Sequence, residues 1–135
     1  MFRFGAVLAM AVWAALPLRA GPVSDAVQGV ISDQISAFLV DDIDRAFSFA
    51  SPGLRDHFGM AGRFGEMVKN GYPMVWRPGD VRFLQLDGDG KARRQIVEIS
   101  DRAGRPFRLE YEMIETEEGW RIDAVRFLPV PPPMT

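Results

Sequence analysis

Few side chains in this 135-residue chain can do chemistry, and none sits at a catalytic spacing. The single histidine, His57, is the side chain that titrates near neutrality without help from its surroundings. A general base also needs an orienting acid and a substrate pocket. The nearest acid, Asp56, is adjacent in sequence, and adjacent side chains on a helix point apart. His57 therefore reads as a surface or half-buried histidine. Ser51 stands before Pro52 as a helix cap, and no G-x-S-x-G elbow surrounds it as a nucleophile would require. Asp41, Asp42 and Asp44 read as a capped, solvated helix start. Asp87–Gly90, a D-G-D-G run, reads as a hairpin turn, since the oxygens that a calcium loop needs at later positions are missing. Cysteine is absent, which excludes disulfides, thiolate metal sites, a cysteine nucleophile and a lipidated N-terminus. One imidazole is too few for most zinc and non-haem iron sites. The expectation is no catalytic residue, no metal and no cofactor.

Residues suited to binding are easier to find. Tyr72 and Trp76 each join an apolar ring to a polar tip. They flank Pro73 in a stretch that Pro73 and Pro78 make stiff and extended, where they would line a pocket mouth or simply close a lid over the core. Further on, Phe107, Leu109, Tyr111 and Met113 alternate with Arg108, Glu110 and Glu112, the period of a half-buried strand. A three-residue loop at 102–104 pairs Val97 with Leu109 and Gln95 with Tyr111. A four-residue loop at 116–119 pairs Met113 with Ile122 and Tyr111 with Ala124. Tyr111 then lies between Gln95 and the small Ala124, with Arg93 one step beyond. This is either a polar binding cluster on an apolar sheet face or a buried tyrosine satisfied by Gln95. The candidate ligand-binding set is thus Tyr72, Trp76, Arg93, Gln95 and Tyr111. Glu110 and Glu112 share the outward face with Arg108, which reads as solvated.

The elements that must position these residues follow from periodicity. Val23, Val27, Ile31, Ile35 and Phe38 form one apolar stripe of an amphipathic helix. Asp41 and Asp42 interrupt it, and Ile43, Ala46, Phe47 and Ala50 resume it on a second helix packed back against the first. Two short helices follow, from Pro52 to Phe58 and from about Gly62 to Asn70. Four strands separated by turn signals then run from Val81 to Leu128. The fold class expected is α+β: a helical hairpin and a crossing helix packed on a curved antiparallel four-stranded meander.

Residues 1–20 carry Arg3, an apolar run from Phe4 to Leu16, Pro17, and Ala20 at a cleavage position, the pattern of a secretory signal peptide. The expected organisation is a signal peptide over 1–20, a single α+β domain over 21–128 and a Pro-rich tail over 129–135, with a periplasmic or secreted mature protein. Without Arg3 and Arg19, 14 basic residues face 18 acidic ones, a net charge of −4. That balance argues against nucleic acid as a partner. After cleavage no membrane anchor is expected.

The segments FLVDDIDRAFSFASP, FGEMVKNGYPMVWRP, LEYEM and GWRIDAVRFL resemble a bacterial family, domain of unknown function 4864. The order of hairpin, crossing helix and meander resembles the nuclear transport factor 2-like (SnoaL-like, cystatin-like) cone. The family brings no assigned activity, so it implies no functional residues. The broader fold implies a cone that serves isomerases, dehydratases, cyclases and non-enzymatic modules alike. Three readings follow. The first is a non-catalytic module that binds a small apolar or aromatic ligand, or a periplasmic protein. The second is an isomerase- or hydrolase-type enzyme using Tyr111 or His57. The third is a homodimer built on the open sheet face.

Overall fold

Among the described residues of the computed structural model, 21–132, five helices precede four strands. The expected signal segment and the last three residues of the tail lie outside them. The helices are α1 (Pro22–Leu39), α2 (Ile43–Ser48), α3 (Pro52–Phe58), α4 (Ala61–Gly71) and α5 (Pro73–Trp76). The strands are β1 (Pro78–Asp89), β2 (Ala92–Asp101), β3 (Pro106–Thr116) and β4 (Gly119–Leu128), antiparallel and in the spatial order β1-β2-β3-β4. The fold is α+β, with the helices against a curved, unclosed four-stranded sheet.

Local chemistry sets the helix ends. Asp42 accepts from the Arg45 N–H (3.2 Å) to start α2, and Ser51 Oγ accepts from the Leu54 N–H (3.1 Å) to start α3. Pro52 fits the first position of α3, and Gly59, at φ 77°, ends it. The stretch from Tyr72 to Pro78 is not extended throughout, as the prolines had suggested. Tyr72 leaves the helical region at φ −135°, and Pro73 then takes the first position of a new turn, α5. A proline that cannot continue one helix is well shaped to begin the next.

The stripe on α1 buries Val27, Ile31 and Phe38, which meet Phe64 and Val68 of α4 and Met74 and Val75 of α5. Beneath them lies the inner sheet face, with Val97, Ile99, Leu109 and Met113. The pairs Val97–Leu109 and Gln95–Tyr111 form as the three-residue loop predicts, and Gly104 adopts φ 86°. Met113 pairs with Ile122, also as expected. Tyr111, however, faces Val125 and not Ala124, because β4 holds one extra residue, Asp123, opposite the step from Glu112 to Met113. The bulge lies where β4 also bonds the helical layer. The Ile122 N–H donates to the Phe49 carbonyl (2.9 Å), the Ser51 N–H donates to the Ile122 carbonyl (2.8 Å), and Ala50 makes a parallel bridge to Ile122.

Two further expectations change. The D-G-D-G run is mostly strand: Asp87, Gly88 and Asp89 pair with Arg94, Arg93 and Ala92, leaving Gly90 and Lys91 to turn. Gly88 permits this, because it combines φ 98° with a backbone approach to Ala92 that leaves no space for a Cβ. On the outer face Glu110 is buried, not solvated, beneath Arg126, which donates to it through Nε (2.9 Å) and an Nη.

Candidate functional site

A cavity of about 270 Å³ opens between α3, α4 and the β3–β4 half of the sheet. Its walls are mostly apolar: Leu54 and Phe58 from α3, Phe64, Met67 and Val68 from α4, Val75 from α5, and Ile122, Ala124 and Val125 from β4. Four side chains with polar atoms join them, Gln34, His57, Tyr72 and Tyr111.

Tyr111 is the unusual member. Its residue is 1% exposed, and its hydroxyl has no hydrogen-bond partner among the described residues. A buried hydroxyl without a partner is costly, and few native polar groups are left that way. Burial drives the phenol's pKa far above the ordinary tyrosine value, and the neighbouring Tyr72 adds to the rise. The group is therefore a neutral phenol at any physiological pH, able to donate one hydrogen bond. Tyr72 differs. Its hydroxyl donates to the Val125 carbonyl (2.9 Å), and its ring stacks parallel on Phe127 with centroids 5.0 Å apart. Gln34 donates through Nε2 to the Ala46 carbonyl (3.0 Å), which ties α1 to α2 at the cavity wall.

Of the five candidate binding residues, Tyr72 and Tyr111 line this cavity together and three do not. Trp76 packs on Phe38 (centroids 5.5 Å) beneath the Arg77 guanidinium (4.8 Å), so it closes the core on another side. Arg93 donates to the carbonyls of Gly88 and Gly90, at 3.2 Å each, and clasps its own hairpin turn. Gln95 sits opposite Tyr111 in register, yet its amide turns to β1. There it donates to the carbonyls of Leu84 (3.1 Å) and Gln85 (3.3 Å), and to that of Ile96 (2.9 Å). Its Oε1 accepts from Gln28 Nε2 (3.2 Å). These bonds span the irregularity of β1 between Phe83 and Leu86 and turn the amide away from Tyr111, to whose hydroxyl Gln95 makes no bond. The satisfied Gln95–Tyr111 pair does not form.

His57 is exposed, as its sequence context implied, and edge-on to Phe58 (5.0 Å); it contributes to the cavity wall from the solvent side. Gln34 escaped the sequence reading. Its signal was available: a polar residue at an inward position of the α1 stripe, between Ile31 and Phe38. Among the described residues no group of three His, Cys, Asp or Glu side chains can hold a metal. The arrangement offers apolar contact, a fully buried phenol donor without a partner among the described residues, and an imidazole at the rim.

The model of a family described as a domain of unknown function, DUF4864, matches residues 22–135, a span that includes every helix and strand among the described residues and all of the cavity wall. No curated protein and no solved structure matches the chain. The match covers most of the sequence, and the chain belongs to the DUF4864 family.

Proposed function

We propose that this chain is an exported, non-catalytic module that holds a small apolar or aromatic ligand in the cavity between α3, α4 and the β3–β4 sheet. The observation that carries the reading is the Tyr111 hydroxyl, fully buried, on the cavity wall and without a partner among the described residues. Ligand pockets join apolar walls to a few polar groups that fix orientation, and this lining has that character. Its volume, about 270 Å³, lies just below the range of about 300–1,000 Å³ for pockets of drug-sized ligands, which suits a smaller molecule. Helices followed by a curved meander also support a likeness to the nuclear transport factor 2-like cone. Catalysis has less behind it. A phenol with a raised pKa is a weak acid–base group at neutral pH, and neither an orienting acid nor a second buried titratable group shares the cavity. Export rests on the signal-like segment at residues 1–20.

Native mass spectrometry of the protein purified gently from an exporting host tests both parts. The expected spectrum shows a mass short of residues 1–20 and an additional bound small molecule. A chain retaining those residues would contradict export. A bare monomer or dimer that also takes up no small aromatic compound would contradict the pocket.

A further inference from the structure

Resting on that reading, the geometry points to an uncharged ligand, a flat apolar body with a hydrogen-bond acceptor such as a carbonyl oxygen at its buried end, received by the Tyr111 hydroxyl. Three observations converge. First, the wall carries no arginine, lysine, aspartate or glutamate, and its one ionisable group other than the tyrosines, His57, is exposed at the rim. A carboxylate or ammonium carried to the buried end would lose its hydration with no opposite charge to replace it. Second, the polar groups of the wall are unequal. The Tyr72 hydroxyl has given its proton to Val125, and the Gln34 amide is anchored to the Ala46 carbonyl through Nε2. The Tyr111 hydroxyl is the fully buried polar group of the wall that has no partner among the described residues, and as a phenol it calls for an acceptor. Third, the rest of the wall is rings and aliphatic chains: Phe58 and Phe64 meet edge to face at 5.5 Å, and Met67, Val68 and Val75 share the lining. Such a lining suits a single planar ring. A polar or charged end of the same molecule is tolerated only at the rim, beside His57.

The test uses three probes of one size: acetophenone, with a neutral acceptor; ethylbenzene, without one; and benzoate, charged at pH 8. Binding to the purified protein and to Tyr111→Phe is followed by ligand-observed NMR. The parent is expected to hold acetophenone roughly tenfold tighter than ethylbenzene, the effect of one hydrogen bond to an otherwise unpaired buried donor. Benzoate should bind at least tenfold more weakly than acetophenone. Tyr111→Phe should bring acetophenone down to the ethylbenzene level and leave ethylbenzene unchanged, which also shows that the variant keeps its cavity. Benzoate binding as tightly as acetophenone, or ethylbenzene matching acetophenone in the parent, would overturn the inference while the pocket stood. Failure of all three probes would overturn the pocket reading and the inference with it.

Discussion

Tyr111 keeps a hydroxyl where phenylalanine would fill the same space, and in the free protein that hydroxyl is a cost. Removing it deletes no protein hydrogen bond and relieves an unpaired buried group. Tyr111→Phe should therefore stabilise the free protein by about 1 kcal/mol, a rise in Tm on the order of 5 °C for a domain of this size. Thermal denaturation followed by circular dichroism checks this; a fall in Tm would mean that the hydroxyl is already satisfied. A rise in Tm would favour a role for the hydroxyl in binding over one in packing. The same burial predicts an alkaline effect. The folded phenol holds its proton to higher pH than the unfolded one, whose ordinary value is 10.0. The stability this confers is complete below pH 10 and is lost as the pH rises beyond it, because the unfolded chain then releases a proton the folded chain keeps. Of the two tyrosines in the chain, one should ionise only as the fold opens, visible as a step in phenolate absorbance coincident with loss of structure. Reversible ionisation of both tyrosines in the intact fold would contradict this.

Elements are held in place by polar groups whose partners lie outside the reach of periodicity. Gln95 bonds three carbonyls, two of them on β1, and fixes how that strand bends. Gln95→Leu strands those acceptors and takes one partner from the Gln28 amide, which keeps Ser24, so it should cost about 2 kcal/mol in urea unfolding. A cost near zero would mean that β1 is held by its ladder alone. At the β2–β3 turn, the Asp101 carboxylate accepts from the Arg105 and Ala103 N–H groups and from Arg105 Nε. The backbone bond from Arg105 contributes most to holding its pKa below the ordinary value of 3.8. Its stabilisation is present above that value and fades as the pH falls through the lower folded one. Asp101→Asn should be less stable than the parent at pH 7, with the difference shrinking below about pH 4; a constant difference would assign the loss to geometry instead. These elements show why the sequence was legible to the degree it was. Alternation and loop length placed β2 against β3 residue for residue, since a pleated strand has only two faces and the loop fixes its phase. They also named Tyr111. They gave the register of Gln95 and Arg93 but not where these side chains or that of Trp76 turn, because the direction of a long side chain is decided by partners on other elements. Alternation also cannot register an inserted residue such as Asp123, whose reason lies in the helical layer.

That inserted residue bears on how the molecule holds together. Among the described residues the helical layer and the sheet share backbone hydrogen bonds along one seam, where the chain between α2 and α3 runs beside β4. Ser51, fully buried, serves both sides: its Oγ accepts from the Leu54 N–H to cap α3 and donates to Asp123 Oδ1 at 2.7 Å. The bulge on β4 brings Asp123 there, and α3, set by the same seam, supplies Leu54, His57 and Phe58 to the cavity wall. Cavity shape is thus coupled to this joint, whose Ile122 is itself part of the wall. Ser51→Ala removes the cap and the link and should cost about 2 kcal/mol. Asp123→Ala removes the link alone and should cost about 1 kcal/mol, since Ser51 still caps. If the two groups act on each other, the double variant should cost about 1 kcal/mol less than the separate losses together, as a charge-assisted hydrogen bond in one pair requires. Urea unfolding of the four proteins measures this, with unchanged denaturant slopes showing that the layers still unfold as one. Additive losses would mean that Ser51 is a cap and no more. A reduced slope confined to the Ser51 variants would show the helical layer parting from the sheet before the sheet itself unfolds.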